Sequence, residues 1–268
     1  MGSLGEKIGE GATADIHVWA PGQVLKLSKL GVRWRSGRHE AQMTRAAYAA
    51  GLPAPEVLDE VTVEGRFGMV LRRLDGPTLL QLSRTGAMTP RRTGAILATL
   101  CLSVHKTSAP PGVLSLRDWV DTALPLAGDR LPKHIATGVL TLIDRLPAGG
   151  GLCHGDLHPG NVIMTAEGPR LIDWAAAMRA PGGLDLGWGH VLLSEFAPEI
   201  VADPERPRAV NAAAQSAYAR LTGISPTALT AAIEPYLPIA RVLVLLAGAF
   251  PAQRERLIQR IETTLRPE

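Results

Sequence analysis

The stretch LCHGDLHPGNVIMTAEGPRLIDWAAA, residues 152–177, decides how this chain is understood. Between Asn161 and Trp174 the letters read NVIMT, AEGP and RLIDW, which predicts two short strands around a turn. A tight hairpin would bring Asp173, at the end of the second strand, back toward Asn161, and Asp156 lies on the loop that enters it. Two carboxylates and one amide oxygen would then converge, and hard oxygen ligands of this kind suit Mg²⁺.

The spacing of these residues makes the prediction more specific. His154, Gly155 and Asp156, followed by four residues and Asn161, reproduce the kinase catalytic-loop pattern. In that pattern the aspartate accepts the proton of an attacking hydroxyl and the asparagine holds metal. Asp173 takes the place of the second metal-binding aspartate. A lone aspartate in a loop is most often a turn former or a helix cap, but this order and spacing are poorly explained that way.

A phosphotransfer site also needs a phosphate-binding loop, and the N-terminal part of the chain offers one. Residues 8–14, IGEGATA, lie between two strand-like segments. Gly9 and Gly11 would let backbone amides approach phosphate oxygens without interference from a Cβ. Ala14 stands where a third glycine is common. For this segment taken alone, a plain β-turn is the alternative.

Lys26 and Glu40 complete the predicted phosphate site. Lys26, in VLKL of the next predicted strand, would bring its ammonium to the α- and β-phosphates. The alternative is a strand lysine that faces water. Glu40, near the start of the following helix, is the natural ion-pair partner for Lys26, and its alternative is a solvated glutamate favoured by the helix macrodipole.

The chain as a whole divides into a small β-rich part and a larger helical part. The first 75 residues hold short strand-like segments between glycine and proline turns, with one helix near residues 38–50. Beyond residue 77 apolar residues recur at helical spacing. We therefore predict an α+β fold with two domains, 1–75 for nucleotide binding and 76–268 for the catalytic loop and the acceptor.

Composition and charge narrow the classes of partner. The net charge is only +3 and the 28 basic residues are scattered, so we expect no nucleic-acid partner. The N-terminus has no apolar signal segment, and the longest apolar run, residues 242–250, is too short to span a bilayer. Cys101 and Cys153 lack metal-ligand spacing and are expected to be buried free thiols. These features predict a cytoplasmic monomer or homodimer without a membrane partner.

The motif HGDLHPGN followed by LIDW resembles the aminoglycoside phosphotransferase and choline kinase superfamily of protein-kinase-like small-molecule kinases. The resemblance runs from the glycine loop through Asp185. It implies a bilobal kinase fold that binds ATP between its lobes, with GTP left open, together with Mg²⁺. By motif position it implies the following roles: Asp156 as catalytic base, Asn161 and Asp173 as magnesium ligands, Lys26 as the phosphate-binding lysine and Glu40 as its partner.

The same resemblance gives other positions supporting roles. His154 is expected to brace the catalytic loop. His158 is expected to orient this loop or to lie near phosphate, and a purely structural role is the favoured alternative. Asp185 is expected to anchor this loop from the following helix. Adenine should meet backbone groups around residues 72–74, with Arg72 and Leu74 as the candidates.

The implied reaction transfers the γ-phosphate of ATP to a hydroxyl of a small molecule, either an antibiotic of aminoglycoside or macrolide type or a metabolite. A protein kinase is one rival, but only eleven residues separate Asp173 from Asp185, too few for a long activation segment. A nucleotide-binding regulator without catalysis is another. From residue 191 onward eight acidic residues balance eight arginines, so a neutral acceptor is as plausible as a polycation. Five aromatic residues are candidates to line an acceptor pocket, although each is more typical of a core: Trp188, Phe196, Tyr218, Tyr236 and Phe250.

Overall fold

The computed structural model describes residues 4–31, 34–128, 131–147, 149–246 and 251–265. It divides into two compact units. The N-terminal unit comprises Met1–Thr85 with Pro159–Ala176, and the helical unit comprises Gly86–His158 with Ala177–Glu268. A five-stranded sheet belongs to the first and most of the helices belong to the second, which confirms the predicted α+β class.

In chain order the strands are β1 (Lys7–Glu10), β2 (Ala14–Ala20), β3 (Gln23–Ser28), β4 (Val57–Val63), β5 (Arg66–Arg72), β6 (Leu152–Cys153), β7 (Val162–Thr165), β8 (Gly168–Leu171) and β9 (Met178–Arg179). The α-helices are α1 (Trp34–Ala49), α2 (Leu79–Arg84), α3 (Pro90–His105), α4 (Leu116–Ala127), α5 (Lys133–Arg145), α6 (Gly183–His190), α7 (Ala197–Ile200), α8 (Glu205–Thr222), α9 (Pro226–Ile233), α10 (Leu237–Leu246) and α11 (Arg254–Leu265). Short 3₁₀ turns cover Pro159–Asn161, Trp174–Ala176, Glu234–Tyr236 and Pro251–Gln253, and Val191–Phe196 is a π-helix.

The sheet of the N-terminal unit is antiparallel, with strand order β1-β2-β3-β5-β4. Its apolar side chains alternate between two faces, as successive strand residues must. Val24 and Met69 pack on one face together with Ala41 of α1, whereas Leu25 and Val70 pack on the other. Helix α1 therefore covers one face of the sheet, and it begins four residues before the predicted start at residue 38.

The predicted hairpin at 161–174 is present as β7 and β8, and it packs in the N-terminal unit. The Met164 amide donates to the Pro77 carbonyl at 2.9 Å, and the Leu171 amide donates to the Pro53 carbonyl at 2.8 Å. The predicted domains, 1–75 and 76–268, were continuous segments of the chain. They did not anticipate that the hairpin at 161–174 packs with the N-terminal residues. Their status as separate domains stays a prediction.

The helical unit is built around the apolar helix α10. Ile239 and Val242 of α10 are fully buried beside Ile135 and Val139 of α5. Helix α3 lies directly against α8 at Gly94, where a Cβ would come within 2.5 Å of a backbone nitrogen of α8. Helix α3 begins as its sequence indicates, with Thr89 as the N-cap and proline at the first turn.

Within the described residues, the helical stretch Pro226–Leu246 is long and apolar enough to cross a membrane, but 61% of its apolar window is buried inside the fold. Core helices of folded proteins have the same property, so the stretch is weak evidence for a membrane span. The last four residues of the predicted apolar helix, 247–250, lie outside the described residues. Cytoplasmic localisation stays a prediction.

Candidate active site

Lys26 and Glu40 meet inside the N-terminal unit. In β3, Lys26 lies two residues from Val24 and therefore on the face that α1 covers. Its Nζ lies 2.5 Å from Glu40 Oε1 of α1 and 3.3 Å from Asp173 Oδ1. The side chains of Lys26 and Glu40 are only 14% and 10% exposed, so this is a buried ion pair and not a solvated strand lysine.

The Lys26 ammonium thus interacts with two carboxylates, those of Glu40 and Asp173. Burial alone would lower the pKa of Lys26, but Glu40 and Asp173 together raise it above its ordinary value. Burial raises the pKa of Glu40, and the negative charge of Asp173 adds to that effect while Lys26 opposes it. Lys26 therefore stays protonated. Because two carboxylates share this one ammonium, a negative charge remains that a further cation would neutralise.

The hairpin brings Asn161 and Asp173 together. The Ile172 amide donates to the Asn161 carbonyl at 2.9 Å, so the backbone of Asn161 lies beside Ile172, the residue before Asp173, at the open end of the hairpin. Asn161 is buried at 8% exposure, while the Asp173 side chain is 40% exposed. Their oxygens are the donor set expected for Mg²⁺.

Asp173 has a left-handed backbone, with φ of 65°. Non-glycine residues rarely adopt this conformation, and such residues concentrate at functional sites. Trp174, which is fully buried, holds the turn because its Nε1 donates to the Leu171 carbonyl at 3.0 Å. The strand ends at Leu171, two residues before Asp173, so Asp173 lies on this turn and not at the predicted strand end.

The glycine segment differs from the predicted phosphate cradle. Gly9 lies within β1, and the Gly11 amide donates to the Ala14 carbonyl at 2.8 Å, so that amide is engaged inside the turn. Glu10 between them is paired with Lys29 and Lys7, which lower the pKa of its carboxyl to about 2. Phosphate binding by Gly9 and Gly11 stays a prediction, and the Gly11 amide is not available for it in this conformation.

The two candidates for contact with adenine lie at the end of β5. The Arg72 amide donates to the Glu56 carbonyl at 3.0 Å, and its guanidinium pairs with the Glu56 carboxylate. Leu74 is half-buried just beyond the strand. Contact with adenine stays a prediction for both residues.

The loop that carries Asp156 is held from below by Asp185 of α6. The Gly155 amide donates to Asp185 Oδ1 at 2.7 Å, and the His154 amide donates to Oδ2 at 2.8 Å. Gly155 has φ of 78°, a conformation that favours glycine. The Asp156 amide donates to His154 Nδ1 at 3.2 Å, which is the bracing contact expected of His154. Asp185 thus occupies its predicted position beneath this loop.

His105, at the end of α3, compensates the buried charge of Asp185. Its Nε2 lies 3.3 Å from Asp185 Oδ2, and its Nδ1 lies 2.8 Å from the Tyr218 hydroxyl. Burial would raise the pKa of Asp185, but His105 and the loop amides lower it overall. Burial would likewise lower the pKa of His105, and its neighbours instead raise it well above the ordinary value. Since burial raises the pKa of Cys101, that neighbour is a neutral thiol and Asp185 supplies the charge.

The side chain of Asp156 itself contacts two residues of the helical unit. Trp188 Nε1 donates to Asp156 Oδ1 at 3.0 Å, and His158 Nε2 lies 3.6 Å from the same oxygen. This separation is beyond hydrogen-bond distance, and the role of His158 stays a prediction. Because Asp156 belongs to the helical unit, its predicted convergence with Asn161 and Asp173 stays a prediction.

The C-terminal helices contain a surface depression of about 600 Å³. Its lining comprises Ser194, Glu195, Arg241, Arg256, Gln259, Arg260, Thr263 and Thr264. Glu195 accepts hydrogen bonds from Arg241 at 2.8 Å and from Arg260 at 2.6 Å, so these two guanidinium groups compensate the negative charge of Glu195. Arg256 pairs in turn with Glu199 beside the depression, so three guanidinium groups face two carboxylates and this surface has no acidic excess that would attract a polycation. Four of the five predicted pocket aromatics, Trp188, Phe196, Tyr218 and Tyr236, are buried, and Phe250 lies outside the described residues.

Sequence reasoning missed the roles of His105 and Trp188. His105 is 80 residues from Asp185, and Trp188 is 32 residues from Asp156. Neither pair shares a local motif, and the sequence marked Trp188 only as a core residue or a candidate to line an acceptor pocket. Both contacts form because helices α3 and α6, which are distant in sequence, pack close to the loop that carries Asp156.

Known proteins resemble this chain over most of its length. The profile of the phosphotransferase enzyme family (APH) matches residues 5–224. Among solved structures, the streptomycin–ATP complex of APH(2'')-IIa superposes with a TM-score of 0.59 at 15% identity, covering 98% of this chain and 91% of that one. A choline/ethanolamine kinase family protein from Mesorhizobium loti has a TM-score of 0.53 at 19% identity, covering 99% and 89%. The aminoglycoside phosphotransferase APH(3'')-Id from Streptomyces rimosus has a TM-score of 0.57 at 19% identity, covering 87% and 92%. At these identities the likeness shows a shared protein-kinase-like fold.

One curated relative is a probable serine/threonine-protein kinase, PkwA, from Thermomonospora curvata. It is 30% identical over 118 residues, which make up 41% of this chain and 16% of that protein. The match thus spans about a sixth of the relative's length.

Proposed function

Because the chain belongs to the phosphotransferase enzyme family, we propose that it transfers the γ-phosphoryl group of ATP to a hydroxyl of a small molecule. The observation that carries the proposal is the buried Lys26, held between Glu40 and Asp173 in the N-terminal unit. A lysine in that setting is costly to bury. Its retention is understandable where the ammonium also meets phosphate oxygens.

Asn161 and Asp173 would hold Mg²⁺. The Asp173 carboxylate already faces a cation, the Lys26 ammonium at 3.3 Å, and the hairpin keeps Asn161 beside it. Carboxylate and amide oxygens fit a magnesium ion better than a softer metal. When bound, the ion supplies charge neutralisation on the phosphates.

Asp156 would orient the acceptor hydroxyl and accept its proton. Asp185 accepts a hydrogen bond from the backbone of the loop that carries Asp156, while Trp188 and His158 lie near one carboxylate oxygen of Asp156. Such support favours catalysis by alignment, which supplies most of the rate in phosphoryl transfer.

We propose that the acceptor is a neutral or amphiphilic hydroxyl compound. The balance of eight acidic residues and eight arginines from residue 191 onward supports this choice, because the C-terminal helices offer no acidic excess for a polycation. Aminoglycosides remain in the test panel, since related folds have been solved with kanamycin and streptomycin.

The test is consumption of ATP or GTP with Mg²⁺ against a panel of aminoglycosides, macrolides, choline and neutral metabolite alcohols, with product identified by mass spectrometry. Asp156→Asn should lower kcat by about a hundredfold to ten-thousandfold while nucleotide still binds. Asp203→Asn, at an exposed acidic residue, is the matched control and should keep wild-type activity.

Two alternatives are outcomes of the same assay. Phosphorylation of a protein substrate, and of no small molecule, would favour the kinase activity of the curated relative. Against it stands the short segment between Asp173 and α6, which spans Trp174–Ala176, β9 and a few further residues. Nucleotide binding without turnover of any acceptor would favour the regulatory alternative.

A further inference from the structure

We propose that Trp188 is a positioning residue for phosphotransfer, whose indole N–H fixes the orientation of the Asp156 carboxylate. This inference rests on the proposed function, because it concerns how the proposed base meets its acceptor.

The contact is direct and well made. Trp188 Nε1 donates to Asp156 Oδ1 at 3.0 Å, within the normal range for such a hydrogen bond. Trp188 is only 6% exposed, whereas the Asp156 side chain is 30% exposed. The donor is therefore fixed in the core while the acceptor faces outward.

A single helix holds both the backbone and the side chain of the catalytic loop. Asp185 and Trp188 are three residues apart in α6, so they lie on the same face of the helix. Asp185 accepts the amides of His154 and Gly155, and Trp188 donates to the side chain of the next residue, Asp156. Any displacement of α6 would move loop and carboxylate together.

An indole is suited to this position. The terminal torsion of aspartate is broad, so an unsupported carboxylate turns freely over a wide range. A hydrogen bond to Oδ1 removes that freedom and presents Asp156 in one orientation, as alignment of a reacting hydroxyl requires. The indole is uncharged and lies within hydrogen-bond distance of Asp156 Oδ1, whereas His158 Nε2 is 3.6 Å from the same oxygen, beyond that distance.

The test compares Trp188→Phe with Trp119→Phe, a matched loss of an indole from α4, where Trp119 packs against the same core. Trp188→Phe should lower kcat on the order of tenfold to a hundredfold, with KM for nucleotide and acceptor unchanged. Trp119→Phe should leave kcat unchanged. In an Asp156→Asn background, Trp188→Phe should cost little more, since residues that act through one another are not additive.

A second variant covers the case in which Trp188→Phe unfolds the core. Replacing Trp188 by benzothienylalanine keeps the ring shape and exchanges only the indole N–H for sulfur. It should reproduce the loss of kcat without a loss of thermal stability. An unchanged kcat in this variant, or an equal loss in the Asp156→Asn background, would overturn the inference.

The indole N–H also reports on the contact without catalysis. In protein labelled with ¹⁵N-tryptophan, the Trp188 indole signal, assigned by its absence in the Trp188→Phe or benzothienylalanine protein, should shift in Asp156→Asn and stay unchanged in Asp203→Asn. A responsive signal in a chain that phosphorylates nothing refutes the proposed function while the hydrogen bond stands. An active chain with an unresponsive signal refutes the inference alone.

Discussion

Replacing Asp185 by asparagine should release the catalytic loop from α6. Asp185 is 2% exposed and accepts two backbone amides, from Gly155 at 2.7 Å and His154 at 2.8 Å, and it also contacts His105. Hydrogen bonds to a charged acceptor are worth about 1.5–3 kcal/mol each. Asparagine keeps one acceptor oxygen but turns an NH₂ group toward the other amide, and it leaves the His105 charge uncompensated. We therefore expect a loss of about 3 kcal/mol, the lower end for a broken buried pair.

Hydrogen exchange measures this loss where it occurs. The amides of His154 and Gly155 should exchange roughly a hundredfold faster in Asp185→Asn, since about 1.4 kcal/mol corresponds to each factor of ten. Urea unfolding should show a lower midpoint for the same variant. Asp203→Asn, at an exposed site, should change neither quantity.

The reasoning fails if the two amides keep their protection in Asp185→Asn. It also fails if a loss of stability is spread evenly over the sheet of the N-terminal unit, because the contacts described here are confined to the helical unit.

Three further predictions concern other parts of the chain. Gly76→Ala should lower the urea midpoint of unfolding much more than Gly22→Ala does. A Cβ at Gly76 would lie 2.0 Å from the Met164 carbonyl oxygen, whereas a Cβ at Gly22 would meet open space and cost only about 1–2 kcal/mol for the left-handed backbone. Equal effects of the two substitutions would contradict the docking of the hairpin. Burial raises the pKa of the Cys153 thiol to about 12, and Cys101 is buried as well, so both thiols should react with a colorimetric reagent at pH 8 only after unfolding. Rapid reaction of the native protein would refute their burial. The pKa of His105 is raised in the folded state, so the difference in free energy of unfolding between wild type and His105→Gln should be greatest below pH 6.5. This difference should shrink as the pH rises through the folded pKa, which urea titrations from neutral to alkaline pH will show. A difference that grows with pH would refute the charged pair.

Local signals predicted much of the secondary structure. The Thr89-Pro90 start of α3 is confirmed, because a capping hydroxyl and a proline at the first turn act within a few residues. The strands around the predicted β-turns are confirmed for the same reason, since alternation and turn residues are properties of neighbours in sequence. The ion pair of Lys26 with Glu40 was also expected, although its burial was not.

Longer-range features were out of reach of such signals. The hairpin at 161–174 joined the N-terminal unit, because its backbone groups found partners at Pro53 and Pro77 about a hundred residues earlier in the chain.

The sequence by itself indicated the family of this protein, because an ordered set of aspartates, an asparagine and a lysine is typical of the phosphotransferase family to which the chain belongs. It also predicted the start of α3 and the turns of the hairpins, because those features depend on neighbouring residues. Only the tertiary structure decided which distant groups support that chemistry, namely His105 beneath Asp185, Trp188 beside Asp156 and Asp173 beside Lys26. The physical reason is that burial makes an unpaired charge or donor costly, and packing, not sequence order, selects the partner that satisfies it.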